Sequence, residues 1–193
     1  MHVKRIGILG GTFNPIHIGH LAMAQTACDQ LGLDQVVFVP SNLPPHKNAK
    51  DVMSSRDRLA MVRLAILGNK NFGLCDFEVK RPGKSYSIHT IEYLRARLPK
   101  TAKLFFIIGE DSLSTLSQWK RISDLVKLVH FVVVNRGGVT RPHKSIKVRS
   151  ITMPSLDISS SLLRKQIAAG KSVRYLIPEP VRIYIEKKRL YKK

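Results

Sequence analysis

The sequence predicts a doubly wound α/β fold, a parallel sheet with helices on both faces. Short β-branched runs bounded by Gly or Pro alternate with segments of helical period, the order expected of strand–helix–strand units. An apolar share of 44% over 193 residues supplies a sizeable core, so a single domain over residues 1–193 is expected.

The elements follow in order. Residues 3–9 and 36–39 read as buried strands, with the helical pattern of residues 18–31 between them. Residues 55–67 place Leu59, Val62, Leu64, Ala65 and Ile66 at roughly helical spacing, and residues 72–79 form a less regular third strand. Residues 87–98 begin with a plausible Ser cap and repeat Ile88, Ile91, Leu94 and Leu98, which predicts a helix. The clearest strands are 103–108 and 128–134; a sixth is expected over 145–152. Residues 40–53 and 136–145 are rich in Pro, Gly and basic residues and read as loops. In such sheets ligands bind beyond the carboxyl ends of the strands, where the strand order reverses. The polar segments 10–20, 41–47 and 109–111 follow strands, so the chemistry is sought there.

Composition excludes several classes. No apolar run approaches the roughly 20 residues of a membrane-spanning helix. The start, Met1-His2-Val3-Lys4-Arg5, lacks the pattern of a secretory leader, and two cysteines, Cys28 and Cys75, make neither a disulfide framework nor a metal spacing. A cytoplasmic protein is expected. The net charge of +20 is uneven: residues 1–111 carry 15 basic and 9 acidic side chains, residues 112–193 carry 18 and 4. A surplus of this kind suits an anionic partner, or a lysine-rich solvated surface.

The first loop is Gly10-Gly11-Thr12-Phe13-Asn14-Pro15-Ile16-His17-Ile18-Gly19-His20. Its glycines let the backbone approach a phosphate, and the helix after it offers N–H groups and a positive dipole end. The P-loop ending is missing, and the third glycine is misplaced for a dinucleotide fingerprint. His17 and His20 stand at i and i+3, on one helix face about 5–6 Å apart. They are too few to hold a metal, and suit hydrogen bonding to charge developing on a phosphoryl group.

This loop resembles the signature of the His-x-Gly-His nucleotidyltransferase superfamily, and its wider pattern that of the bacterial nicotinate-nucleotide adenylyltransferases. The family usually has Asp where this chain has Asn14. The resemblance implies a Rossmann-like sheet, ATP at Gly10, Gly11, Thr12, Phe13, His17 and His20, and the two imidazoles as catalytic groups.

Other segments agree with it in the family's order. Pro40–Lys47 is a basic, proline-stiffened loop suited to gripping an anion, and the resemblance places Asn42, His46 and Lys47 near substrate phosphates. Residues 80–90 lead into a helix whose N-terminus is a natural carboxylate site. By resemblance Tyr86 and Ser87 meet the nicotinate group there, with Ser87 in place of the usual Thr and His89 in place of a common Asp. Gly109-Glu110-Asp111 follows the clearest strand; Asp111, Trp119 and Arg136 complete the implied acceptor site, Trp119 stacking on the pyridine ring. Residues 157–167 read as a helix opening with Ser159, Ser160 and Ser161 and carrying Arg164 one turn in. Alone, that reads first as an ordinary Ser-capped helix; it resembles the family's second signature, and the resemblance makes the helical part from about 159 to 193 complete the ATP site.

The implied activity joins nicotinate mononucleotide to ATP, with Mg²⁺ bound through ATP phosphates and no metal held by the protein itself. Rival readings are another acceptor, such as nicotinamide mononucleotide or phosphopantetheine, a fragment of an aminoacyl-tRNA synthetase, or a non-enzymatic RNA-binding module. A nucleic-acid partner is not expected despite the +20, since aromatic content is only 7% and no RNA-reading motif appears.

Overall fold

The computed structural model describes residues 2–45, 52–135, 143 and 145–192. Six parallel strands form one sheet: β1 (Arg5–Gly11), β2 (Gln35–Pro40), β3 (Phe72–Leu74), β4 (Lys103–Gly109), β5 (His130–Asn135) and β6 (Val148–Thr152). Their order is β3-β2-β1-β4-β5-β6. The chain winds outward from β1 in one direction and returns to β4 on its other side, so the switch lies between β1 and β4. A crevice opens at their carboxyl ends, as the doubly wound topology requires.

Alternation along the strands builds two cores. Ile6, Ile8, Leu104, Phe106, Ile108, Phe131 and Val133 face one side; Leu9, Phe105, Ile107, Val132 and Val134 face the other. The helices α1 (Ile18–Leu31), α2 (Ser55–Ile66), α7 (Ser160–Ala168) and α8 (Glu179–Lys187) bury their apolar stripes on the second side. The first is covered by α4 (Ser87–Arg95) and α6 (Ile122–Leu128). Cys28 and Cys75 are buried in opposite cores; burial pushes the Cys28 thiol up to about 11, which makes it inert. Among the described residues no helix is long and apolar enough to cross a membrane.

Several boundaries differ from those expected: the first strand runs Arg5–Gly11 rather than 3–9, so Gly10 and Gly11 close β1, and α4 ends at Arg95 rather than 98. The third strand ends at Leu74, because β3 pairs with β2 over only three residues at the sheet edge. Its second half turns instead into the short helix α3 (Phe77–Lys80), braced by a 2.8 Å Lys80–Asp76 ion pair. Leu128 ends α6 and the strand begins at His130, since Val129 N–H closes the helix on the Leu125 carbonyl. The sixth strand starts at Val148, not 145. The one-turn helix α5 (Glu110–Leu113) and the seven-residue α6 are too short for a periodicity signal.

The central strand also needs a residue without a side chain. A Cβ on Gly7 would lie 2.8 Å from Leu33 Cδ1 and Val36 Cγ2, and 2.9 Å from Ile107 Cδ1. Gly7→Ala should therefore overpack the sheet–α1 interface and cost about 1–3 kcal/mol. Urea unfolding of the variant checks this; an unchanged midpoint would show that the interface yields.

Candidate active site

The turn between β1 and α1 is held by its carbonyl oxygens. Ser41 N–H donates to Gly11 O at 2.9 Å. Arg58 Nη1 donates to Thr12 O at 2.7 Å, Arg164 Nη1 to Asn14 O at 2.9 Å, and Ser160 Oγ to Pro15 O at 2.8 Å. The Tyr191 hydroxyl donates to Asn14 Oδ1 at 2.8 Å, and Asn14 is 3% exposed. With these oxygens turned into protein donors, the lone pairs that would repel a phosphate are directed away from the crevice. The Asn14–Pro15 peptide is cis.

Gly11 is required by packing, since the Phe13 ring folds back to 2.9 Å from where its Cβ would be. Phe13 has φ 48°, is 2% exposed and contacts His20 edge-on at 5.0 Å between centroids. Its side chain is therefore the floor under the imidazole. His20 stacks on His17 with centroids 3.7 Å apart, closer than the helix spacing alone suggests. His17 N–H donates to His20 Nδ1 at 3.2 Å. An Nδ1 that accepts this bond carries no proton, so the neutral ring is protonated on Nε2 and is a donor there. His20 lines the crevice, whereas His17 is buried behind it. The start of α1 is less open than expected. Ile18 N–H goes to Leu176 O at 3.1 Å and His17 N–H to His20, so the turn and the His20 ring, more than the helix end, face the cleft.

The crevice itself is a cleft of about 620 Å³. One wall is Gly10, Gly11, Thr12 and His20; the other is Ser85, Tyr86, Ser87, Thr90, Asp111 and Trp119, with Glu78 and Lys120. Trp119 is partly buried and packs edge-on against Phe106 at 5.5 Å. Lys120 Nζ sits 4.4 Å from the centre of the Tyr86 ring, bridging the two segments of that wall. Tyr86, not Ser87, is the N-cap of α4, and it makes no side-chain cap bond; Ser87 is the first helical residue. Asn42 borders this wall: its amide Nδ2 donates to Arg81 O at 3.0 Å and its N–H to Ser85 Oγ at 2.9 Å.

The remaining expected residues fall into two groups. Ser159, Ser160, Ser161 and Arg164 stand at the start of α7, docked on the Asn14–Pro15 edge of the turn outside the cleft. Ser159 caps α7 through Leu162 N–H at 3.2 Å, and Arg164 Nη2 also reaches Ser161 Oγ at 3.3 Å. His46, Lys47 and Arg136 lie outside the described residues. Among the described residues no group of three or more His, Cys, Asp or Glu side chains could cage a metal ion.

Comparison with known proteins agrees with this architecture. The cytidylyltransferase-like family model matches residues 8–166. A Lactiplantibacillus plantarum protein named probable nicotinate-nucleotide adenylyltransferase is 47% identical over 188 residues, covering 97% of this chain and 88% of its own. The chain belongs to the nicotinate-nucleotide adenylyltransferase family. A Geobacillus thermodenitrificans relative of the same name is 45% identical over 189 residues, covering 97% of this chain and 86% of its own. The solved Plasmodium falciparum nicotinic acid mononucleotide adenylyltransferase complexed with NaAD shares the fold, with TM-score 0.78 at 22% identity over 97% of both chains.

Three residues of this family member were not legible as site residues. Arg58, Lys120 and Glu78 come from segments that read as an ordinary helix, a basic surface and a strand end. Glu78 is the most unusual, a carboxyl in the cleft wall bonded to the Thr90 hydroxyl. Burial pushes its pKa above the ordinary 4.5, only partly opposed by the Thr90 and Ser85 hydroxyls and the Arg81 charge. The folded state therefore binds this proton more tightly than the unfolded state. Stability from this group is complete below 4.5 and is lost as pH rises through the raised folded value. Glu78→Gln, which imitates the neutral acid, should gain stability relative to the parent as pH rises across that window. Urea midpoints at a series of pH values check it, and parallel curves for the two proteins would count against it.

Proposed function

We propose that this chain transfers the adenylyl group of ATP to nicotinate mononucleotide, releasing pyrophosphate and forming nicotinate adenine dinucleotide. The observation that carries this reading is the pairing of two unlike walls. One is a phosphate-facing turn with an Nε2–H donor on His20, and relatives 41–47% identical that are named probable nicotinate-nucleotide adenylyltransferases support placing ATP there. The other carries rings and charges of both signs, with Trp119, Tyr86 and Lys120 around the start of α4 beside Asp111 and Glu78.

No protein nucleophile is needed. A phosphate oxygen of the mononucleotide attacks the α-phosphorus of ATP in line, the bond to the β-phosphate bridge breaks, and pyrophosphate leaves. His20, with His17 stacked behind it, donates to the α-phosphate oxygens as charge builds. Arg164 and Ser159–Ser161, at the outer edge of the turn, would hold the leaving end. On the far wall a nicotinate carboxylate would meet the N–H groups opened at Tyr86–Ser87 and the Lys120 ammonium while its ring lies against Trp119. Asp111, Asn42, His46, Lys47 and Arg136 are assigned to the same acceptor by resemblance alone. A Mg²⁺ ion carried by the ATP phosphates would screen their charge, and the cleft would surround it with hydroxyls, backbone amides, the His20 imidazole and the Asp111 and Glu78 carboxyls. Both substrates are polyanions, which fits the net +20.

Pyrophosphate release with ATP and a panel of mononucleotides tests this. The nicotinate form should exceed the nicotinamide form by at least about tenfold in kcat/KM, because a neutral amide would leave donors unpaired at about 1–3 kcal/mol each. Equal rates would overturn the acceptor assignment. His20→Ala should lower kcat by about 10²-fold or more with either acceptor, and activity within a few-fold of the parent would remove His20 from the chemistry.

A further inference from the structure

Arg58 is the largest side chain buried to completion in the described structure, at 1% exposure. Among the described residues no carboxylate pairs with it. Its donors go to carbonyls alone. Nε bonds Met53 O at 2.8 Å, Nη1 bonds both Thr12 O and Ser41 O at 2.7 Å, and Nη2 bonds Asn42 O at 2.6 Å. Burial lowers its pKa to about 10, which leaves it protonated at neutral pH.

A buried cation that meets only carbonyls among the described residues is an expensive way to fill space. An apolar side chain of similar volume would avoid its desolvation but would leave those four carbonyls without their donor, so the residue is explained by the segments it holds. What the guanidinium does is join three segments through one rigid plane. Met53 belongs to the entry of α2, Thr12 to the phosphate-facing turn, and Ser41 and Asn42 to the loop after β2. Thr12 and Ser41 both line the cleft. Asn42 passes the connection on, since its N–H reaches Ser85 Oγ and its side chain Arg81 O, in the segment leading to Tyr86. One planar group thus touches the wall assigned to ATP and the support of the wall assigned to the acceptor.

We propose that Arg58 is a positioning residue for the transfer step: its fork fixes the separation of the two walls, and so the alignment of the attacking phosphate with the α-phosphorus. The proposal rests on the adenylyl-transfer reading of the cleft. In-line transfer is acutely sensitive to such alignment, a misplacement of about 1 Å costing about 10²-fold. Lysine cannot substitute, because a single ammonium has neither the plane nor the reach to hold carbonyls on separate segments at once.

The test uses the full chain with Arg58→Lys and Arg58→Met. Three quantities are measured: kcat by pyrophosphate release, per folded molecule from urea unfolding, and the separate binary affinities for ATP and nicotinate mononucleotide by calorimetry. Of the turn's held carbonyls only that of Thr12 loses its donor, while Gly11, Asn14 and Pro15 keep theirs, so binary affinities should stay within about threefold while kcat falls about 30-fold or more in both variants. A folded variant with kcat within threefold of the parent would overturn the proposal. So would a loss confined to one binary affinity, which would make Arg58 a binding residue. Failure of both variants to fold would also count against it, by giving the arginine a structural role. Failure of the activity reading shows separately, in the parent. If the parent prefers a different mononucleotide, the same comparison is run on that acceptor and decides Arg58 independently. No release with any acceptor overturns both.

Discussion

The site depends on where the carbonyl oxygens of one turn point. Between Gly11 and Pro15 the backbone turns sharply beside a cleft, and Gly11, Thr12, Asn14 and Pro15 each place a carbonyl on a donor from elsewhere in the chain. Buried acceptors need such partners, and each lost partner costs about 1–3 kcal/mol. The donors come from the loop after β2, from α2 and from α7, elements far apart in sequence. The cleft-facing surface of this turn is thus a property of the assembled fold, and the glycine-rich motif alone does not produce it.

Asn14 illustrates the same constraint. The family resemblance expects an acid there, and an acid would suggest a charge acting on substrate. The structure buries the side chain and uses its Oδ1 to accept the Tyr191 hydroxyl, a bond that an amide and a carboxylate make alike. Burial also raises the Tyr191 pKa, so its proton stays available to that bond at neutral pH. The departure at this position leaves the turn's geometry intact.

Much of the fold was legible in the sequence because its central elements are apolar. β1 and β4 are short continuous apolar runs that mark buried strands, and helices between strands imply parallel pairing. The segment after Leu74 was not legible, since three residues of edge pairing and a one-turn helix leave almost no pattern. Of the residues the sequence singled out, Gly10, Gly11, Thr12, His20, Tyr86, Ser87, Asp111 and Trp119 line one cleft. The N-cap at Tyr86 was missed because a serine beside it is the better local cap former, while the packing of Tyr86 beneath Lys120 is a tertiary effect. Arg58 was missed for a related reason. On α2 it reads as a solvated helix arginine, and only the approach of two distant loops makes it buried.

The central claim is that the cleft aligns two phosphates for direct transfer, with no adenylylated protein between them. The stereochemical course at the α-phosphorus tests this most directly. ATP carrying a chiral phosphorothioate at that position, turned over with nicotinate mononucleotide, should give a dinucleotide of inverted configuration, as a single in-line displacement requires. Retention would mean two displacements through a covalent intermediate on the protein, and would contradict the account.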